Sequence, residues 1–71
     1  MSFSSFDPVT KELLFGVYEA AWRLLSTTGR LPASEPARVR ARQQLTRQLV
    51  AAADSGERDF ERLKAKAIEE L

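Results

Sequence analysis

A chain of 71 residues has room for one domain, and a domain of this size buries only about 60% of the surface that its unfolded form exposes. The sequence contains neither cysteine nor histidine, which excludes disulfides and removes the usual zinc ligands, general bases and nucleophile pairings. Its 11 basic and 10 acidic residues leave a net charge of +1, far from the broad positive field of most nucleic-acid-binding proteins.

The first six residues are predicted to form a short arm, flexible or docked, within a single helical domain that spans residues 1–71. Its aromatic residues, Phe3 and Phe6, either fold back on the first helix or dock on another chain. The first alternative is favoured because exposed phenylalanine is disfavoured on a small protein. The arm lacks the basic and apolar regions of a signal peptide, and charges interrupt the most apolar stretch. We therefore expect a cytoplasmic protein with no membrane segment.

The first predicted helix, residues 7–28, organises the rest of the chain. Asp7 is a good N-cap, Pro8 suits the first helical position, and Gly29 is expected to end the helix in a left-handed conformation. Apolar side chains occupy an arc of roughly 220°, which is too wide for a helix with one solvated side. The arc contains Leu13, Leu14, Phe15, Val17, Tyr18, Ala20, Ala21, Trp22, Leu24 and Leu25.

An interior glycine of this helix, Gly16, has two interpretations. It is a tolerated exposed residue, which costs about 1 kcal/mol relative to alanine, or it forms with Ala20 a strip of small residues that another helix approaches closely. The candidate protein interface on the first helix consists of Phe15, Gly16, Tyr18, Ala20 and Trp22.

Two thinner helices are predicted to follow. Residues 35–53, capped by Ser34, carry a stripe of mostly small apolar residues. Asp54 and Glu57 have the spacing of a capping box, so a third helix with one apolar side is expected over residues 56–70. The first helix has nine large apolar side chains, whereas the second and the third have four each.

These elements predict an all-α three-helix bundle in which short loops favour antiparallel neighbours. Two slim helices are not expected to shield an arc of roughly 220° along about 30 Å of helix. We therefore expect part of the first helix to be buried against a second copy, as a dimer, or against another protein. The alternative is a monomer in which the arm and the loop at Leu31 cover the remainder.

Basic charge is concentrated on the second helix, since positions 30–53 hold five arginines and one acid. Arg38 and Arg42 fall in line with the apolar stripe. Three explanations of this position are open. The N-terminal half of the helix leaves the core, or the two guanidinium groups pair with acids such as Glu69 and Glu70. Alternatively, the two residues continue an interface onto an acidic partner or nucleic acid. Guanidinium groups bind carboxylate and phosphate in a bidentate manner, so the candidate contacts to an anionic partner are Arg38, Arg40, Arg42 and Arg47.

The sequence argues against an enzyme and predicts no cofactor or metal. Carboxylate catalysis needs two groups that converge in a partly desolvated cleft, whereas Glu12 and Glu19 lie on a solvated strip. The three glycines are isolated, so no phosphate-binding loop is expected. A regulator that binds nucleic acid through the arginines is a second hypothesis. It is disfavoured because a helix-turn-helix formed by the second and third helices would place acidic residues against phosphates.

Several runs of the sequence are distinctive: Phe6-Asp7-Pro8, then Glu19-Ala20-Ala21-Trp22 with Leu25, then residues 51–59 followed by Arg62-Leu63 and Ala67. In these positions the chain resembles a group of small all-helical bacterial proteins of the proteobacterial type, whose function is unknown. The resemblance spans most of the chain and rests on caps, turns and core positions. It implies a bacterial, cytoplasmic setting and carries no site residue over to this chain.

Overall fold

The computed structural model describes residues 6–69, which form three α-helices. Helix α1 spans Pro8–Thr27, α2 spans Glu35–Asp54 and α3 spans Phe60–Glu69. No strand occurs in this part of the chain, and the predicted all-α three-helix bundle is confirmed. None of these helices is long and apolar enough to cross a bilayer.

Both ends of α1 have the predicted local structure. The Asp7 carboxylate accepts hydrogen bonds from the backbone N–H and the hydroxyl of Thr10, and Pro8 occupies the first helical position. At the other end Gly29 has a φ of +72°, and its N–H and that of Arg30 donate to the carbonyls of Ser26 and Leu25. These two bonds satisfy carbonyls that the helix itself leaves without partners.

The third helix begins later than predicted, at Phe60 instead of residue 56. Asp54 does not cap this helix, because it is the last residue of α2. Gly56, with a φ of +99°, ends α2 in the same way that Gly29 ends α1. The predicted end at residue 70 lies outside the described part of the chain.

The described end of the arm folds back on its own chain, as the sequence favoured. Phe6 packs against the core, and the guanidinium carbon of Arg58 lies 6.0 Å from the centre of its ring. Phe3, the other aromatic residue of the arm, lies outside residues 6–69.

The core is formed where α3 packs on both of the longer helices, which contact each other much less. At 1.5 Å per residue the 10 residues of α3 span about 15 Å, roughly half the length of α1 or α2. In α2 every buried residue lies at or after Leu45, so its N-terminal half leaves the core. The buried cluster consists of Leu14, Val17, Ala21, Leu45, Leu49, Val50, Ala52, Ala53, Leu63 and Ala67.

Candidate binding surfaces on the first and second helices

The predicted interface residues of α1 lie on two different sides of the helix. Tyr18 and Trp22 flank the buried side near α2, and their rings are stacked with centroids 6.3 Å apart and an interplanar angle of 1°. Gly16 and Ala20 lie roughly 160° further round the helix. Phe15, on the Tyr18 side, is 56% exposed. The five residues therefore do not form one continuous surface.

The first residue of α3 lies against Gly16. A Cβ atom added at Gly16 would lie 3.7 Å from Cε2 of Phe60, the first residue of α3. This distance is an ordinary van der Waals contact, so a methyl group fits without displacing the ring. Gly16, which is half-buried, thus contacts a ring of α3, and the contact would tolerate a larger residue at this position.

Exposed apolar side chains follow the same side of α1. Val9 is 76% exposed, Leu24 is 41% exposed, and Phe60, which lies against Gly16 between them, is 38% exposed. On a helical projection Val9 and Leu24 share a side with three half-buried residues, Leu13, Gly16 and Ala20. We call these six residues, including Phe60, the Val9–Leu24 surface.

An arginine of α2 lies over the ring of the only tryptophan of the chain, which belongs to α1. The guanidinium carbon of Arg42 lies 5.1 Å from the centre of the Trp22 ring, within the range of a cation–π interaction. Burial raises the pKa of Tyr18 above its ordinary value of 10.0, and the positive charge of Arg42 partly opposes this effect. Arg42 therefore interacts with both aromatic residues.

Two shallow hollows lie on the surfaces of α2 and α1. One has a volume of about 380 Å³ and is lined by Arg42, Gln43, Thr46 and Arg47. The other has a volume of about 460 Å³, and its lining includes the Trp22 and Tyr18 rings and the polar residues Glu19, Arg23, Ser26 and Thr27. Arg42 lines the first hollow and Trp22 the second, so the contact between these two side chains borders both.

The four predicted anion-binding arginines are divided between different environments. Arg38 donates from Nε to the carbonyl of Pro32 at 2.8 Å, which ties α2 to the preceding loop. Arg40 is exposed, and Arg42 and Arg47 line the same hollow on α2. Neither Arg38 nor Arg42 pairs with Glu69, and Glu70 lies outside the described residues. The structure thus brings two of the four together.

The other ionisable groups of residues 6–69 make few contacts with one another. The one ion pair within residues 6–69 joins Lys64 and Glu61 at 3.2 Å on the surface of α3. No group of three or more potential metal ligands occurs in that range. The pKa of Asp7 is lowered from its ordinary value, chiefly by the hydrogen bond from the Thr10 hydroxyl.

Comparison of the chain with protein-family models, with curated proteins and with solved structures finds no match in any of the three.

Proposed function

We propose that this chain is a non-enzymatic protein-interaction module that self-associates through the Val9–Leu24 surface. The observation that carries the proposal is the exposure of Val9, Leu24 and Phe60 along one side of α1. A protein of this size gains stability from a partner subunit when its own core is small, and apolar side chains grouped on one surface mark such contacts.

The shape of the surface suits a second copy. Phe60 covers Gly16 near its middle, and the exposed side chains of Val9 and Leu24 lie at its ends, so apolar surface that a second copy can cover runs along most of α1. Two copies related by a two-fold axis would place the same residues on both sides of the contact, so each end residue meets apolar surface on the partner.

The nucleic-acid alternative has weaker support. Arg38 is engaged by the loop, and of the four arginines only Arg42 and Arg47 line the same hollow. Two arginines on a chain with a net charge of +1 would neutralise few phosphates.

Sedimentation equilibrium with a pair of matched variants tests the proposed function. Leu24 and Val39 are 41% and 42% exposed, on α1 and α2 respectively, so Leu24→Glu and Val39→Glu introduce the same charge at equally exposed apolar positions. We expect the wild-type chain and Val39→Glu to dimerise at micromolar concentration and Leu24→Glu to remain monomeric. Circular dichroism checks that both variants stay folded. A monomeric wild-type chain at about 100 µM, or equal effects of the two variants, would contradict self-association through this surface.

A further inference from the structure

Two opposite charges lie along one edge of the Val9–Leu24 surface. Glu12 and Arg23 are both exposed, and on a helical projection of α1 they lie within about 20° of each other and next to Gly16. At 1.5 Å per residue they are about 16 Å apart along the helix, which is too far for an ion pair within one chain. Neither side chain makes a hydrogen bond or an ion pair within residues 6–69. Both charges are therefore available to a partner.

The orientation of a second copy decides which charges meet across this surface. In a parallel pair of α1 helices, Glu12 lies opposite Glu12 and Arg23 lies opposite Arg23, so like charges meet at both ends. In an antiparallel pair the two-fold axis keeps the same edge of both helices on one side, and each Glu12 lies opposite Arg23 of the other copy. The charge pattern is therefore complementary to itself in the antiparallel orientation only.

The other charges near the surface do not favour either orientation. Glu19 lies on the same edge close to the middle of α1, so it meets its own counterpart in both arrangements. The ammonium of Lys64 lies 5.9 Å from the centre of the Phe60 ring, but it is paired with Glu61 at 3.2 Å. The preference for one orientation therefore comes from Glu12 and Arg23.

We propose that the partner at the Val9–Leu24 surface is a second copy whose α1 runs antiparallel, and that Glu12 of each copy pairs with Arg23 of the other. This inference rests on the proposed function, because it specifies the arrangement of the self-associated chains. The pairs lie at the two ends of the contact, where they fix both the direction and the register of the helices.

One register suits the charges and the apolar residues together. The position halfway between Glu12 and Arg23 coincides, within one residue, with the position halfway between Gly16 and Ala20. A two-fold axis at this level pairs the charges and also centres the apolar surface on the contact. Because Phe60 covers Gly16, the Phe60 rings of the two copies then lie on either side of the axis.

Exchange of the two charges tests the antiparallel arrangement. In an antiparallel dimer, Glu12→Arg or Arg23→Glu alone places like charges at both ends. We therefore expect each single variant to weaken dimerisation at low salt by at least about tenfold in sedimentation equilibrium. The double variant Glu12→Arg/Arg23→Glu restores both pairs with reversed signs, and its affinity should lie within about threefold of the wild-type value. In a parallel dimer each single exchange would replace one like-charged pair by another and change the affinity little.

A control variant and salt separate pairing from general charge effects. Arg40→Glu changes the net charge by the same amount as Arg23→Glu, but Arg40 is an exposed residue of α2. We expect it to change dimerisation by less than about twofold. At about 1 M salt the single variants should approach the wild-type affinity, because exposed pairs are screened. Circular dichroism checks that every variant is folded.

Cross-linking measures the orientation directly, because the chain contains no cysteine. Val9 and Thr27 are exposed and lie five turns apart on the same side of α1. In the antiparallel register Val9 of one copy lies opposite Thr27 of the other. We expect a short bis-maleimide to join the Val9→Cys and Thr27→Cys variants when they are mixed, and to leave each variant unlinked when it is treated alone.

The outcomes distinguish this arrangement from self-association itself. A wild-type dimer that single exchanges leave unchanged, a double variant that stays monomeric, or cross-linking of Val9→Cys to itself would overturn the antiparallel arrangement and leave the proposed function standing. A wild-type chain that is monomeric at about 100 µM would overturn both.

Discussion

The carboxylate of Asp59 accepts a hydrogen bond from the backbone N–H of Arg62 at 3.0 Å, and this contact begins α3. The same N-cap geometry is made by Asp7 and Thr10 at the start of α1. Because α3 is only 10 residues long, the loss of one cap removes a large share of its local stabilisation. The start of this helix therefore depends on one exposed side chain.

Replacement of this cap is the first prediction. We expect Asp59→Ala to lower the free energy of unfolding by about 1 kcal/mol, because the N–H of Arg62 loses its acceptor. Asp54→Ala is the matched control, since Asp54 is the last residue of α2 and an acid is unfavourable at a helix C-terminus. Urea denaturation followed by circular dichroism measures both. A larger effect at Asp54 than at Asp59 would contradict the observed boundary.

Substitution by alanine is expected to change the stability of the chain in opposite directions at a glycine that ends a helix and at the glycine within α1. Gly56 has a φ of +99°, so Gly56→Ala should destabilise the chain by about 1–2 kcal/mol. Gly16→Ala should stabilise it by up to about 1 kcal/mol, because alanine favours the helix and its methyl group meets Phe60 at an ordinary contact distance. Thermal unfolding of the two variants gives opposite shifts in Tm. Destabilisation by Gly16→Ala would mean that Phe60 packs more tightly than observed.

Attachment of α3 to the bundle rests on its buried leucine. Leu63 is fully buried in the core cluster, so Leu63→Ala is expected to cost about 2–5 kcal/mol through the lost burial and the cavity that remains. Leu24→Ala makes the same chemical change at a residue that is 41% exposed and should cost less than half as much. Equilibrium unfolding in urea, monitored by Trp22 emission, compares the two. Similar costs would show that α3 contributes little to the core.

The phenol of Tyr18 is expected to titrate above its ordinary pKa of 10.0, since burial disfavours the phenolate. Because this pKa is raised in the folded chain, the stability that depends on the neutral phenol is complete below the pKa of the unfolded chain. It is lost as the pH rises through the pKa of the folded chain. Tyr18 is the only tyrosine, so alkaline titration of ultraviolet absorbance measures it alone. Arg42→Gln should raise this pKa further, and Arg40→Gln should leave it unchanged. An equal shift in both variants would contradict the placement of Arg42 beside Tyr18.

Acid is expected to weaken the N-cap of α1. The hydrogen bonds from Thr10 hold the pKa of Asp7 below 3.8. The stability that these bonds confer is therefore present above the pKa of Asp7 in the unfolded chain, and it is lost as the pH falls through the pKa in the folded chain. Asp7→Asn keeps a capping oxygen but cannot titrate. The difference in Tm between the wild-type chain and Asp7→Asn should therefore shrink as the pH is lowered from about 5 to about 2. A constant difference would show that the charge of Asp7 does not contribute.

Local signals explain which parts of the fold could be predicted. The start and end of α1 depend on Asp7, Pro8 and Gly29, whose preferences act within a few residues and need no neighbour. The start of α3 was predicted wrongly because Asp54 and Glu57 have the spacing of a capping box. Gly56, between them, ends α2 instead, and its position three residues before Asp59 was the signal that could have shown this.

Helix α2 illustrates what a helical projection leaves out. Val39 and Val50 lie at nearly the same angle on α2, yet Val50 is buried and Val39 is 42% exposed, because only the second half of the helix reaches the core. The position of Arg42 in line with Leu45 and Leu49 indicated that its side chain faces the bundle. It could not indicate that the guanidinium lies on Trp22, which belongs to another helix.

The sequence by itself determined three helices, the two ends of the first and the width of its apolar arc, because capping, propensity and periodicity act along the chain. Only the tertiary structure decided which neighbour covers which part of that arc. α3 is short and packs with Phe60 on Gly16, while the first half of α2 stands away from the core. Those distances between helices leave Val9 and Leu24 in solvent and bring Arg42 to Trp22, and no property of a single helix encodes them.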